Sequence, residues 1–217
     1  MLIIHGVTRS RASRVIWLCH ELDLPFRQIP VIQAYRLPHA TAPGAPLNTR
    51  SPEFLALSPA GAIPVIDDDG LILSESLAAT LHLARRHGGP IGPRDAAEDA
   101  HMMQWSFYGA TSVEPDALTI MMLQRAGADE GDAALVDDAA RRLARPLGVI
   151  EAHLARRGHL VGDRFTVADL NMAEMLRYAA GYTALMRDHP RIAEWLAACQ
   201  ARPAFVRMWQ ERSAEPA

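Results

Sequence analysis

Strand signals end at about Asp95 in this chain of 217 residues, and that one change of pattern limits the folds open to it. Before it, short apolar runs alternate with helical stripes. Leu2-Ile3-Ile4-His5, ended by Gly6, is long enough for one buried strand. Val15, Leu18, Cys19 and Leu22 recur at helical spacing, and Pro25 stops that helix. Phe26 to Ile32 reads as a second strand, with Pro30 at an edge or irregular position. From Gln33 to Ser51 the chain carries Pro38, Pro43, Gly44 and Pro46 without sustained period, a loop of uncommon length. Ser51 and Pro52 then suit the cap and first position of a short helix. Ile63–Ile66 and Leu71–Leu73 flank Asp67-Asp68-Asp69-Gly70, a hairpin signal. Ser74-Glu75-Ser76 opens a helix with Leu77, Leu81 and Ala84 on one face, closing at Gly88-Gly89-Pro90.

Beyond that point only helices are expected, broken near Gly127–Gly131, Arg157-Gly158 and His189-Pro190. A βαβ unit, a hairpin with a helix and an all-helical remainder predict two domains, 1–88 and 95–217, joined by a linker over 89–94. One helix start is specified three times over. Thr166 is placed to cap it, Asp169 stands three residues on as the acid of a capping box, and Phe165 and Leu170 occupy the staple positions.

Composition removes several function classes. With 49% hydrophobic and 22% charged residues the chain folds rather than remaining disordered. A net charge of −3 gives no footprint for nucleic acid or anionic membrane. No apolar run approaches the roughly 20 residues that span a bilayer. The opening MLIIHGVTRS lacks a basic n-region and reads as a strand, not a signal peptide. Cys19 and Cys199 have no metal or CxxC spacing and are expected as free thiols in the reducing cytoplasm. Every basic residue is arginine, which excludes Schiff-base, pyridoxal phosphate and P-loop lysine chemistry. The nine histidines form no pair at ligand spacing (His82 and His87 are five apart), so no metal is expected.

Four stretches, in this order and at these separations, resemble the cytosolic glutathione transferase family. They are Ser10-Arg11-Ala12-Ser13-Arg14-Val15, Pro59-Ala60-Gly61-Ala62-Ile63-Pro64-Val65-Ile66, Leu73-Ser74-Glu75-Ser76 and Phe165-Thr166-Val167-Ala168-Asp169-Leu170. The likeness spans essentially the whole chain, and the first stretch is most similar to the bacterial serine-type, theta-like members. It implies an α/β plus all-α fold: an N-terminal thioredoxin-like domain, βαβαββα, followed by a C-terminal all-helical bundle. It implies glutathione as co-substrate, a homodimer and a small electrophile as the other substrate.

Glu75-Ser76 stands at a helix N-terminus, where free amides and the dipole favour a carboxylate. The family places the γ-glutamyl carboxylate there, with the Glu75 carboxylate near the α-amine; unaided, the residues read as an ordinary cap. The resemblance further implies that Pro64 is cis, turning the Ile63 backbone toward the cysteinyl main chain of glutathione. The sulfur must be a thiolate to attack, yet a free thiol with pKa near 8.5 is mostly protonated at neutral pH. A hydroxyl donating to sulfur lowers that pKa. Ser10, at the start of the first helix, matches the motif serine; it also reads as a helix cap. Thr8 is the runner-up, and Arg11 can add positive field. No cysteine lies in this stretch, which argues against mixed-disulfide chemistry.

The family often has a lysine where this chain has Ala62, and the Gln33–Ser51 loop covers the usual glycyl end; Arg50 and Asn48 are the candidate substitutes. Met102, Trp105, Tyr108 and Ser112 fall at helical spacing and suit the acceptor pocket, or core or dimer packing. The expected function is transfer of the glutathione thiolate to small, apolar electrophiles. The alternatives are a non-catalytic glutathione-binding or protein-interaction module on the same fold, and a glutathione-dependent isomerase or dehalogenase. The Ser-Ser-Cys pattern of the isomerases is absent from Ser10–Ser13.

Overall fold

The computed structural model describes residues 1–126 and 130–215. They form two compact units, one of Met1–Gly89 with Pro203–Ala217, the other of Pro90–Arg202. The expected order of elements is present, so the fold is a thioredoxin-like unit and an all-helical one.

The first unit is built on a four-stranded sheet. Its elements are β1 (Leu2–His5), α1 (Ser13–Glu21), β2 (Phe26–Ile29), α2 (Pro52–Leu57), β3 (Val65–Asp68), β4 (Leu71–Ser74) and α3 (Ser76–His87). The sheet order is β2-β1-β3-β4, with β1 parallel to β2 and antiparallel to β3, and β3 antiparallel to β4. A parallel pair needs a crossover, and α1 is that crossover. Asp68 pairs Leu71, so the hairpin turns on Asp69 and Gly70 at φ of 54° and 92°. Two positive φ values make a type I′ turn, which the twist of the strands favours and which glycine adopts without strain.

Four sequence expectations change here. β2 ends at Ile29; Pro30 offers no amide, and the chain resumes pairing only at an isolated bridge between Ile32 and Asn48. Ser51 precedes α2 as expected, but its hydroxyl accepts from the Asn48 amide instead of capping the helix. Helix α1 carries no single buried stripe: every residue from Ser13 to Cys19 is buried. The reason lies at the other end of the sequence. Helix α10 (Pro203–Ala214) packs on α1, with the Phe205 ring edge-on to Trp17 at 4.9 Å. The expectation that 95–217 forms one helical domain therefore differs from the observed grouping, because residues 203–217 gather with the first unit.

The second unit contains α4 (Ala96–Tyr108), α5 (Glu114–Ala126), α6 (Glu130–Arg157), α7 (Val167–Leu176), α8 (Thr183–Asp188) and α9 (Pro190–Gln200). Asp95 caps α4 by accepting from the Ala97 and Glu98 amides. A wide turn at Gly109–Val113 joins α4 to α5, and a Cβ on Gly109 would press on the flexible end of the Met175 side chain, which would have to shift. Val136, Ala139, Leu143, Leu147, Ile150 and Leu154 make the buried stripe of α6. Breaks fall at Gly158 and at Pro190 as expected, while residues 127–129 of the expected Gly127–Gly131 break lie outside the described residues.

Helix α7 is the centre of this unit: all ten of its residues are buried. A helix end sealed from water must find partners for its amides within the protein. The Thr166–Asp169 capping box does this, with the Thr166 amide donating to Asp169 Oδ2 at 3.0 Å. The other carboxylate oxygen accepts from the Leu160 amide and the Trp195 indole, each at 3.0 Å. The Asp169 carboxylate, 3.7 Å from His159 Nδ1, also raises the pKa of that imidazole. Asp169→Ala strands several buried donors at once, and an equilibrium urea titration should show a loss of about 3–5 kcal/mol. Because His159 gains affinity for its proton on folding, its contribution is complete below the unfolded value of about 6.5. It fades as pH rises through the raised folded value, and this pH dependence should disappear in Asp169→Asn.

Candidate glutathione site

The candidate residues of the first unit come from four segments: the turn between β1 and α1, the loop before α2, the turn into β3 and the start of α3. Ser10 has φ −140° and ψ −166°, outside helical geometry, just before α1 begins. Its hydroxyl donates to the Val7 carbonyl at 2.7 Å and accepts from the Ala12 amide at 3.0 Å. Half-buried Ser10 thus closes the turn as a cap, with its oxygen beside the helix N-terminus. Thr8 is only 2% exposed, and its Oγ1 accepts from Gln28 Nε2 at 3.3 Å. Arg11 is exposed.

Gly6, Ala12 and Ile63 converge. A Cβ on Gly6 would meet the Cβ atoms of Ile63 and Ala12 at 3.3 and 3.4 Å, so the end of β1 and the turn before Pro64 lie side by side. The Ile63-Pro64 peptide bond is cis, and Pro64 is buried while Ile63 is half-buried.

Helix α3 starts at Ser76, with Glu75 as its flanking residue at φ 69° and ψ 113°. A left-handed φ at a residue with a Cβ is uncommon and costs about 1–3 kcal/mol, held in place by its surroundings. The Glu75 side chain is exposed, whereas Ser76 is buried. The sequence reading missed what lies behind Ser76. Arg14, 1% exposed on α1, donates from Nη1 to Ser76 Oγ at 3.1 Å. A hydroxyl that accepts from a guanidinium keeps its own proton to give to another acceptor. The start of α3 therefore offers a hydroxyl donor backed by a buried cation, the free amides of a twelve-residue helix and, outside, a carboxylate. That arrangement matches an α-amino acid, with anion and cation on adjacent atoms. Sequence spacing could not find Arg14, since the two residues are 62 apart.

In the loop, Asn48 is fully buried and spends its side chain locally. Its Nδ2 donates to the Ala40 and Pro46 carbonyls, and its Oδ1 accepts from the Arg50 amide. Arg50 is exposed and lines a cavity of about 420 Å³ with Tyr35 and His39. Cys19 lies inside α1, where burial pushes its thiol pKa up to about 12, so it supplies no thiolate at neutral pH.

In the second unit, Met102 and Trp105 are part of the helical core. The Trp105 ring meets Tyr108 at 5.7 Å and His153 at 4.8 Å, both edge-on. Tyr108 is half-buried and donates to the Pro146 carbonyl at 3.3 Å; Ser112 is half-buried as well. Among the described residues no group of three or more His, Cys, Asp or Glu side chains is placed to hold a metal ion. Among them, too, no helix is long and apolar enough to cross a membrane.

Residues 4–91 match the family model for the glutathione S-transferase N-terminal domain, and residues 99–203 that for the C-terminal domain. Glutathione S-transferase 3 of Zea mays is 35% identical over 216 residues, covering 94% of this chain and 91% of its own. A solved glutathione S-transferase III in apo form is 31% identical with a TM-score of 0.78, over 100% of this chain and 99% of that one. Glutathione transferase F7 of Populus trichocarpa superposes with a TM-score of 0.81 at 26% identity, covering 98% and 99%. The Zea mays and Populus trichocarpa relatives are plant proteins, where the sequence pointed to bacterial serine-type, theta-like members; what these likenesses carry is the family and not that finer class. The chain belongs to the glutathione S-transferase family.

Proposed function

We propose that this protein binds glutathione at the start of α3 and transfers its thiolate to small, apolar electrophiles. One observation carries the reading: the buried Arg14 guanidinium on the Ser76 hydroxyl at the head of α3, with the Glu75 carboxylate outside. The γ-glutamyl end of glutathione bears a carboxylate and an α-amine on one carbon. Ser76 and the first amides of α3 take the carboxylate, and Glu75 takes the amine. Ile63, beside Pro64, offers its backbone to the cysteinyl residue. Arg50, with Tyr35 and His39 around the loop cavity, is favoured over the internally bonded Asn48 for the glycyl carboxylate.

Ser10 is the proposed activating group, and the chain is read as a serine-type, theta-like member. Its proton rests on the neutral Val7 carbonyl. A thiolate is the stronger acceptor, because hydrogen bonds to charged groups are about twice as strong as neutral ones. Turning the hydroxyl from Val7 to sulfur stabilises the ionised thiol and lowers its pKa. Exposed Arg11 adds positive field. Thr8, buried against Gln28, is less accessible. Tyr108 and Ser112 are the proposed acceptor contacts, with Trp105 as the packing that fixes Tyr108. Phe107 on α4 and Met122 on α5, each 60% exposed, are the apolar surface that supports a homodimer. The two buried free thiols suit the cytoplasm. A non-catalytic glutathione-binding module is the second reading, favoured by the Ser10 hydroxyl already serving as a cap.

Three measurements test these readings. Ser76→Ala loses a hydrogen bond to a charged group and should weaken glutathione about tenfold or more in calorimetry; unchanged affinity refutes the assignment. Ser10→Ala should cut turnover of an aromatic halide at neutral pH while glutathione still binds. If only the stability falls, by about 1 kcal/mol as for a lost cap, Ser10 is structural and the second reading stands, with Thr8 next to be tested. Light scattering at micromolar concentration should return the mass of two chains, and the mass of one chain contradicts the homodimer.

A further inference from the structure

The turn that carries Ser10 is held by a segment from the far end of the chain. Glu215 sets one carboxylate oxygen on the Thr8 amide at 2.6 Å and the other on the Arg9 amide at 2.8 Å. Gln28 Nε2 reaches the first of these oxygens at 3.5 Å. The contacts run both ways. Arg212 donates to the Thr8 carbonyl at 2.6 Å, and the Arg9 guanidinium donates to the carbonyls of Arg212 and Ser213 at 3.0 and 3.3 Å.

Arg9 and Ser10 have non-helical backbone angles, so these two residues are not set by the regular bonding of the helix that follows. The Thr8 and Arg9 amides are instead fixed by one bidentate carboxylate, and Ser10 is the next residue. We propose that Glu215 is a positioning residue for the Ser10 hydroxyl: by bridging these two amides it holds the turn in the geometry that presents Ser10 to the glutathione sulfur. The proposal rests on the reading of Ser10 as the activating group.

Seating α10 and positioning the turn are separable. Helix α10 has its own anchors on α1, the Trp17–Phe205 contact at 4.9 Å and the His20–Glu211 pair at 2.8 Å. Neither involves Glu215. Truncating that one side chain leaves the helix docked and frees two amides of the turn. A hydroxyl displaced by about 1 Å is enough to cost a large factor in rate without a matching loss of binding.

The test uses the full chain with Glu215→Ala, Glu215→Gln and Ser10→Ala. Thiolate absorbance of each glutathione complex is titrated against pH, alongside kcat, KM for glutathione and melting temperature. If Glu215 positions Ser10, Glu215→Ala raises the pKa of the bound thiol in the same direction as Ser10→Ala. It also lowers kcat by about tenfold or more while KM for glutathione stays within about twofold. Glu215→Gln, which keeps an acceptor for one amide only, falls between Glu215→Ala and the parent, and supplies the readout if the alanine variant does not fold. A lower melting temperature with the titration curve and kcat unmoved makes Glu215 purely structural and overturns the proposal. A rise in KM with kcat intact overturns it as well. If Ser10→Ala itself leaves the titration unmoved, the reading of Ser10 falls, and the proposal with it.

Discussion

Helix α1 leaves no face for water, and much of the first unit follows from that. A crossover helix between parallel strands must cover one face of its sheet, which accounts for only half of its surface. The other half is sealed by α10, whose Phe205 meets Trp17 while Glu211 meets His20. A helix enclosed in this way fixes where its first residue stands. It also brings the last helix of the chain beside the turn that precedes it. Arg14 is the cost and the use of this enclosure: a guanidinium at 1% exposure must be bonded, and one of its bonds goes to Ser76 at the head of α3.

The Ser10 and Ser76 hydroxyls at the proposed site are already held by partners within the protein. The Ser10 proton sits on a neutral carbonyl, and Ser76 holds a proton not required by Arg14. Such groups are set in place before a ligand arrives, so binding does not have to order them, and the donors are strengthened by the charge they meet. The second unit uses a carboxylate for a different end. Asp169 lies fully buried and satisfies the amides and the indole that the burial of α7 would otherwise leave without acceptors.

Local chemistry was legible in the sequence wherever the partners lie within a few residues of one another. The Asp69-Gly70 turn, the start of α3 and the Thr166–Asp169 box all involve separations of four residues or fewer, and spacing alone identifies them. The cis bond at Pro64 entered only through the resemblance. Pairings across the chain were not legible. Arg14 with Ser76, Glu215 with Thr8 and the enclosure of α1 by α10 depend on residues 62 to 207 apart. In α1 the run Val15-Ile16-Trp17-Leu18-Cys19 is apolar on every face of a helix, so the enclosure itself was marked in the sequence, although its partner was not; the stripe of Val15, Leu18, Cys19 and Leu22 captures only part of it. Asn48 likewise looked available for ligand contact, since nothing in its neighbours announces that its amide closes the Ala40–Pro46 loop.

Catalysis at the proposed site depends on ionisation of the bound sulfur by the Ser10 turn. The direct measurement is a pH titration of the thiolate absorbance of glutathione bound to the unmodified protein, at saturating protein over ligand. A bound thiol that titrates well below the free value of about 8.5 is the predicted result. A bound thiol that titrates at or above that value contradicts the central claim, since the site would then hold glutathione without activating it.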